Sequence, residues 1–256
     1  MKKYLSFILI LGLVYISIPR LALATPTYVT AGSLDITLPS SGAAVDNAVD
    51  SGTGSDRIMI IFVSYRNSAA QTITSVSYGG SAATAFGAAV VSAQMTGYLY
   101  YLLAPATGSN TLSVDPSTSA GATLASVSWM VFSDVDQTTP YDGYTTGTGT
   151  DTNGELTVTS ETGDTPFFTM GWRGGGATGG TPTNYTERFD NTFQSGAQMV
   201  MGGEGTGAAS VSFVGTVDGE FANTGWVTLG ANLNAVAGGG GGGYVAFQEI
   251  IWYSEE

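Results

Sequence analysis

After residue 25 no stretch of this chain sustains a 3.6-residue apolar repeat; instead, short runs of β-branched and aromatic residues recur, each bounded by Gly, Ser, Thr, Asn or Asp. Such a chain can fold only as strands joined by turns. Leu34 to Leu38 alternates before Pro39, and Ile73 to Tyr78 alternates into Gly79-Gly80 with Ala82 to Val91 running back, a hairpin signal because glycine tolerates the positive φ of primed turns. Ile58 to Val63 is apolar at every position, as expected of a central strand covered on both faces. Tyr98 to Leu103 and Thr111 to Val114 flank a Pro-Ala-Thr-Gly-Ser-Asn turn and read as a further hairpin. Leu124 to Phe132 follows, with Leu124, Val127 and Trp129 as candidate core. Beyond a Thr/Gly-rich connection at 145–154 come Leu156–Thr159, Phe167–Trp172, Gln198–Met201, Val211–Val214 and Trp226–Leu233. The expectation is an all-β, two-sheet antiparallel β-sandwich of jelly-roll or lectin-like size. One domain over 25–236 is preferred to two smaller sandwiches meeting near 145–154, because the second half reads as short of large apolar residues.

The N-terminus reads as an export signal. Lys2 and Lys3 precede an apolar run from Tyr4 to Ile18, then Ala22-Leu23-Ala24 carries small residues two apart, so cleavage is expected after Ala24. The run is shorter than the ~20 residues of a spanning helix. Residues 1–24 also hold three of the seven cations; without them Arg57, Arg66, Arg173 and Arg188 face 20 acids, a side-chain charge of −16 with no lysine. So few cations argue against a grip on nucleic acid or an anionic membrane. With no His and no Cys, triads, His or Cys zinc sites, thiolate clusters and disulfides are excluded. The Gly-rich tracts lack the lysine of a phosphate loop. The compartment expected is extracellular or the surface of a bacterium, with no membrane insertion once the signal is removed.

Gly238 to Gly243 form a run of six glycines, a flexible linker over 237–243. It precedes Tyr244 to Tyr253, the strongest β composition in the chain, within a C-terminal strand and tail spanning 244–256. This strand either completes the same sandwich or is offered to a neighbouring molecule through Tyr244, Phe247, Ile250 and Trp252.

The segments DRIMIIFVSYRNSAAQTITSVSYGG, YLYYLLAPATGSNTLSV, ASVSWMVFSDVDQTTPYD, LTVTSETGDTPFFTMGW and GWVTLGANLNAV together resemble a β-sandwich module of bacterial secreted, surface and phage-associated proteins. The resemblance implies a fold and a setting, non-catalytic parts of surface or adhesive assemblies, rather than a chemistry. YVAFQEIIWYS is similar to the closing strand of lectin-like sandwiches of the concanavalin A or laminin-G type, which supports 244–253 as a strand.

Candidate chemistry is sparse. Carboxylates are the available acid–base groups, so Glu155 with Glu161 or Asp164, and Glu187 with Asp190, are the pairs to test for glycoside hydrolysis; none lies in a one-face strand pattern, and no enzyme activity is expected. No cofactor is implied; calcium is the metal the side chains could hold, through Asp134, Asp136 and Asp142, whose first spacings match a calcium loop. A glycan rim is the remaining candidate, from Trp172, Arg173, Tyr141, Tyr144 and Tyr185 at strand ends, against the preferred alternative that Trp172 caps the core and Gly174-Gly175-Gly176 turns the chain. The function expected is a secreted, non-enzymatic protein acting by surface contact with other surface proteins or copies of itself, with carbohydrate binding as the alternative.

Overall fold

The structure is a computed structural model, and it describes residues 24–39, 45–66, 72–117, 123–174, 180–193, 198–217 and 225–236. The expected signal segment, the glycine linker and the tail lie outside these residues. The chain is all-β and antiparallel throughout its described ladders.

The first ten strands are β1 (Thr27–Leu38), β2 (Val45–Asp50), β3 (Ile58–Arg66), β4 (Ile73–Tyr78), β5 (Ser81–Ala82), β6 (Thr84–Ala85), β7 (Val90–Val91), β8 (Met95–Leu103), β9 (Ser109–Pro116) and β10 (Thr123–Ser133). They build a large sheet, β1-β10-β3-β8-β6 with β7 also on β8, and a smaller one, β2-β9-β4-β5. The remaining eight are β11 (Tyr141–Gly149), β12 (Asn153–Val158), β13 (Thr165–Arg173), β14 (Gly180–Thr183), β15 (Thr186–Phe193), β16 (Gln198–Glu204), β17 (Val211–Val217) and β18 (Trp226–Leu233). They build β11-β18-β13-β16-β15 and β12-β17-β14.

The second pair of sheets repeats the strand order of the first, with β11, β12, β13, β14, β16, β17 and β18 in the places of β1, β2, β3, β4, β8, β9 and β10. The sequence carries traces of the same repeat. An aromatic followed by arginine ends the third strand of each half, Tyr65-Arg66 and Trp172-Arg173, and a tyrosine thirteen residues further on, Tyr78 or Tyr185, packs into the outer core. Each half is thus a two-sheet sandwich, and the halves stack through their larger sheets into four layers.

Three apolar seams hold the layers. Met59, Ile61, Val63 and Tyr65 of β3 meet Val76, Tyr78, Leu112 and Val114 of the first small sheet. The other face of β3, with Ile58, Ile60 and Phe62, meets Phe167, Val227 and Leu229 of the second large sheet. Phe168, Met170 and Trp172 meet Leu156, Val158 and Phe213 of the last sheet. This is why Ile58–Val63 is apolar at every position: alternate residues serve two different seams. Across the central seam β1 lies over β15, β10 over β16, β3 over β13, β8 over β18 and β7 over β11, so each half presents the same patch to the other, as in a two-fold dimer. Gly97 and Gly171 allow that approach: a Cβ on Gly97 would stand 2.9 Å from Val227 Cγ2, and one on Gly171 3.0 Å from the Cβ of Ser64.

Several elements differ from the sequence reading. β8 and β9 do not form a hairpin; the chain crosses from the large sheet to the small one between them, because β8 is buried along its length and β9 is needed between β2 and β4. The Gly79-Gly80 turn does form, with φ of 56° and 81°, but the strand expected to run back over Ala82–Val91 pairs with β4 only through Ser81–Ala82; Thr84–Ala85 and Val90–Val91 join β8 in the large sheet instead. Leu124 is 49% exposed and is no core residue, since the seams take Ala125, Val127, Met130, Val131 and Phe132 from β10. The halves join through residues 134–140, whereas 145–154 holds the end of β11 and the turn into β12. Nor is the second half poor in core: Phe167, Phe168, Met170, Trp172, Met199, Met201 and Phe213 are all fully buried.

Candidate functional site

Both ends of the described chain arrive at one pole of the stack. Ala24 makes an antiparallel bridge with Val236, and Ala235 makes another with Val135. Ala235 and Val236 follow β18 as Asp134 and Val135 follow β10, so the two exits cross beside the pseudo-two-fold axis. The backbone closes the arrangement, with Val236 N donating to Asp134 O at 3.1 Å and Asp136 N to Asn234 O at 3.0 Å.

A polar network underlies the pole. Fully buried Asn232 donates from Nδ2 to Asp142 Oδ1 at 3.0 Å, Asp164 Oδ2 at 2.9 Å and Asn234 Oδ1 at 3.2 Å, while Ser160 Oγ donates to its Oδ1 at 2.7 Å. Asp164 Oδ1 also accepts the backbone N–H of Ala235 at 3.1 Å. The end of β18, the turn before β13 and the edge strand β11 are fastened together here.

Beside the network opens a cavity of about 580 Å³ between the start of β1, the turn at Thr162–Thr165 and the segment Glu204–Gly207. Arg188 of β15 is its centrepiece: Nε donates to Glu204 Oε1 at 2.7 Å and Oε2 at 2.8 Å, Nη2 also reaches Oε1, and the guanidinium lies 3.7 Å over the Tyr28 ring. Hydrogen bonding to Glu204 raises the Arg188 pKa, so the guanidinium in this wall keeps its charge. Burial pushes the Tyr28 hydroxyl up, with the Arg188 charge pulling the other way. The threonines Thr25, Thr27, Thr162 and Thr206 add small polar groups around this neutralised pair. From the sequence Arg188 stands out only as one of four cations after residue 24 and is assigned to no site; that scarcity was the available signal.

The residues singled out from sequence are dispersed. Asp136 turns its carboxylate onto its own loop, accepting from Thr138 N at 2.7 Å and Thr139 N at 3.2 Å, which lowers its pKa. Asp134 accepts from Ser133 Oγ at 3.0 Å, and Asp142 belongs to the Asn232 network. No group of three or more acidic side chains able to hold a metal gathers among the described residues. Trp172 is fully buried in the outer seam of the second half, and Tyr185 packs there against Phe168 and Phe213. Tyr141 and Tyr144 close around Phe86 at the rim of the central seam, with ring centroids 4.3 and 5.6 Å away, and Arg173 bonds Gln94. These five share no surface platform, because in a four-layer stack strand-end aromatics have seams on either side to fill. Of the acid pairs, Glu155 lies on β12 while Glu161 and Asp164 lie at the turn before β13. Glu187 and Asp190 share β15, where burial, then the Asp190 charge, raises the Glu187 pKa. The partner-strand residues Tyr244, Phe247, Ile250 and Trp252, like Glu249, lie outside the described residues.

Among the described residues the fold is an all-β, antiparallel sandwich with Ala24, Val236 and a cavity at one pole. No protein-family model matches the chain, and no curated protein and no solved structure matches it either. Among the described residues no helix is long and apolar enough to cross a membrane.

Proposed function

We propose that this chain is a secreted, non-enzymatic bacterial β-sandwich subunit that works by surface contact, its C-terminal strand joining it to other copies or to other surface proteins. The observation that carries the reading is the bridge between Ala24 and Val236. Ala24 and Val236 lie side by side, and on this reading the first is the last residue of the export signal and the second the residue before the glycine linker that leads to the apolar segment Tyr244–Tyr253. The sequence resemblance to modules of surface assemblies points the same way. Sedimentation of a chain beginning at Thr25, with and without residues 238–256, tests it. Full-length protein should associate as concentration rises, and the shortened chain should stay monomeric with an unchanged melting temperature. A strictly monomeric full-length chain overturns the reading.

One observation favours a second reading, carbohydrate binding, at a place other than the aromatic rim. The polar cavity at Arg188, with a guanidinium already neutralised and stacked on Tyr28, suits a neutral polyhydroxyl ligand better than an ion. Binding on a glycan array that is abolished by Arg188→Ala would support it; an array with no positive glycan removes it.

A further inference from the structure

The strand-addition reading above leaves the acceptor open, and the fold narrows it. Every sheet here has two edges, and an added strand as apolar as Tyr244–Tyr253 needs cover on both faces, since eight of its ten residues are apolar and they do not alternate. The two small sheets each have a face outside the stack and would leave half of such a strand in water. The large sheets have four edges. β15 carries Glu187, Arg188 and Asp190, a charged edge of the kind that resists pairing. β6 and β7 are two residues each. β11 is Gly/Thr-rich, with Tyr141 and Tyr144 as its large apolar residues.

β1 is different. Its twelve residues contain one charge, Asp35, and no proline, and among the described residues its ladder, shifted in register between Tyr28 and Thr30 and continuous from there to Leu38, runs on one side only, to β10. It borders both the outer seam, through Ile36 and Leu38, and the central seam, through Tyr28 and Ala31, so a strand laid on its free edge would extend two apolar seams at once.

Reach decides whose tail that is. Val236 runs antiparallel to Ala24 and so heads away from β1. Stretched fully, the seven residues 237–243 span at most ~25 Å, short of the ~37 Å from Thr27 to Leu38. The tail therefore cannot lie antiparallel along the whole of its own β1. What it can reach over that full length is a parallel pairing, in a molecule whose described ladders are all antiparallel and where parallel pairs hold slightly less well. A second copy meets no such limit. Resting on the proposed function, we infer that the free edge of β1 receives the Tyr244–Tyr253 strand of another copy, antiparallel, building chains of molecules.

The absence of cysteine makes the test clean, because every thiol is one that has been placed. Chains from Thr25 to Glu256 carrying Thr37→Cys are mixed with chains carrying Val245→Cys, Gln248→Cys or Ile251→Cys and oxidised. Thr192→Cys on exposed β15 serves as the control edge. The expected result is an intermolecular disulfide between Thr37→Cys and at least one tail position, absent with Thr192→Cys. Tail-dependent association with no link to Thr37→Cys overturns the β1 edge while leaving the proposed function standing. A double variant that closes only within one chain overturns exchange between copies, and loss of all tail-dependent association removes both.

Discussion

Trp172 shows how residue-scale inference succeeds and fails on this chain. The sequence offers it two places, a glycan rim and, preferred, the core, and the core is where it lies. A tryptophan beside an arginine at the mouth of a glycine-rich loop resembles a glycan platform, yet with 0% exposure it fills the seam between the second large sheet and its smaller partner. Trp172→Ala should therefore lower unfolding free energy by about 3–5 kcal/mol in urea denaturation, the usual result of truncating a fully buried aromatic. Buried polar groups tell the same story. Gln198 Nε2 donates to Ser64 O at 3.1 Å, Ser64 Oγ at 2.8 Å and Ser126 Oγ at 2.7 Å inside the central seam. Gln198→Ala strips these partners and should destabilise by about 2 kcal/mol, read as a lowered urea midpoint with little change in slope. None of the three residues stood out in the sequence, because serine and glutamine at strand ends ordinarily face water. Arg57 is also buried, at 5% exposure, and its guanidinium is held by the carbonyls of Ser51, Gly52 and Pro105 and the hydroxyl of Ser51.

Elements were legible in proportion to how apolar they are. β3, β8, β10, β13 and β18 were all visible because they lie in large sheets covered on both faces and carry nearly continuous apolar runs. β11 and β15 were not, since Gly, Thr and charged residues dominate these edge strands. The hairpin assigned to β8 and β9 failed for a reason of topology: a short polar turn joins two sheets as readily as two neighbours. The repeat between halves was hidden because equivalent positions exchange residue type, Ser64 for Gly171 and Val63 for Met170, while keeping their seam. Glycines at the central seam hold the two halves in contact. Gly97→Val would drive methyls into Val227, Leu229 and Phe62, and a loss of about 1–3 kcal/mol is expected, measurable as a lowered melting temperature. The loop joining the halves has its own signature. Because Thr138 and Thr139 lower the Asp136 pKa, this carboxylate stabilises the fold above the ordinary aspartate range near ~4, and the contribution fades as pH falls through its lowered folded value. Asp136→Asn should lower stability at neutral pH, where the charged carboxylate contributes, and flatten the acid limb so that the variant and the parent chain converge at low pH.

For the whole molecule the inventory sets the pH response. With no His and no Cys, hardly any side chain titrates between the carboxylates and the tyrosines, and stability should be level across that interval. The alkaline limb comes from tyrosine. Burial pushes Tyr100 and Tyr144 up to about 12, and Tyr65 and Tyr185 higher still. A phenol whose folded pKa is raised stays protonated while the unfolded chain ionises, so stability should fall from the ordinary tyrosine value near ~10 towards about 12. Tyrosinate absorbance should then rise together with loss of circular dichroism rather than before it; a gradual rise in a chain that stays folded would contradict the burial of these rings.

The crossing of Val236 beside Ala24 has one more consequence. A body with matching halves, whose described residues begin and end side by side at Ala24 and Val236, has no obligatory starting point. Tying residue 236 to residue 25 through a short loop and opening the chain near Thr138, an exposed turn residue, would give a circular permutant in which the present second sandwich is made first. Order of synthesis, and with it which half waits for its partner during folding, is thus a property of where the gene begins and not of the architecture.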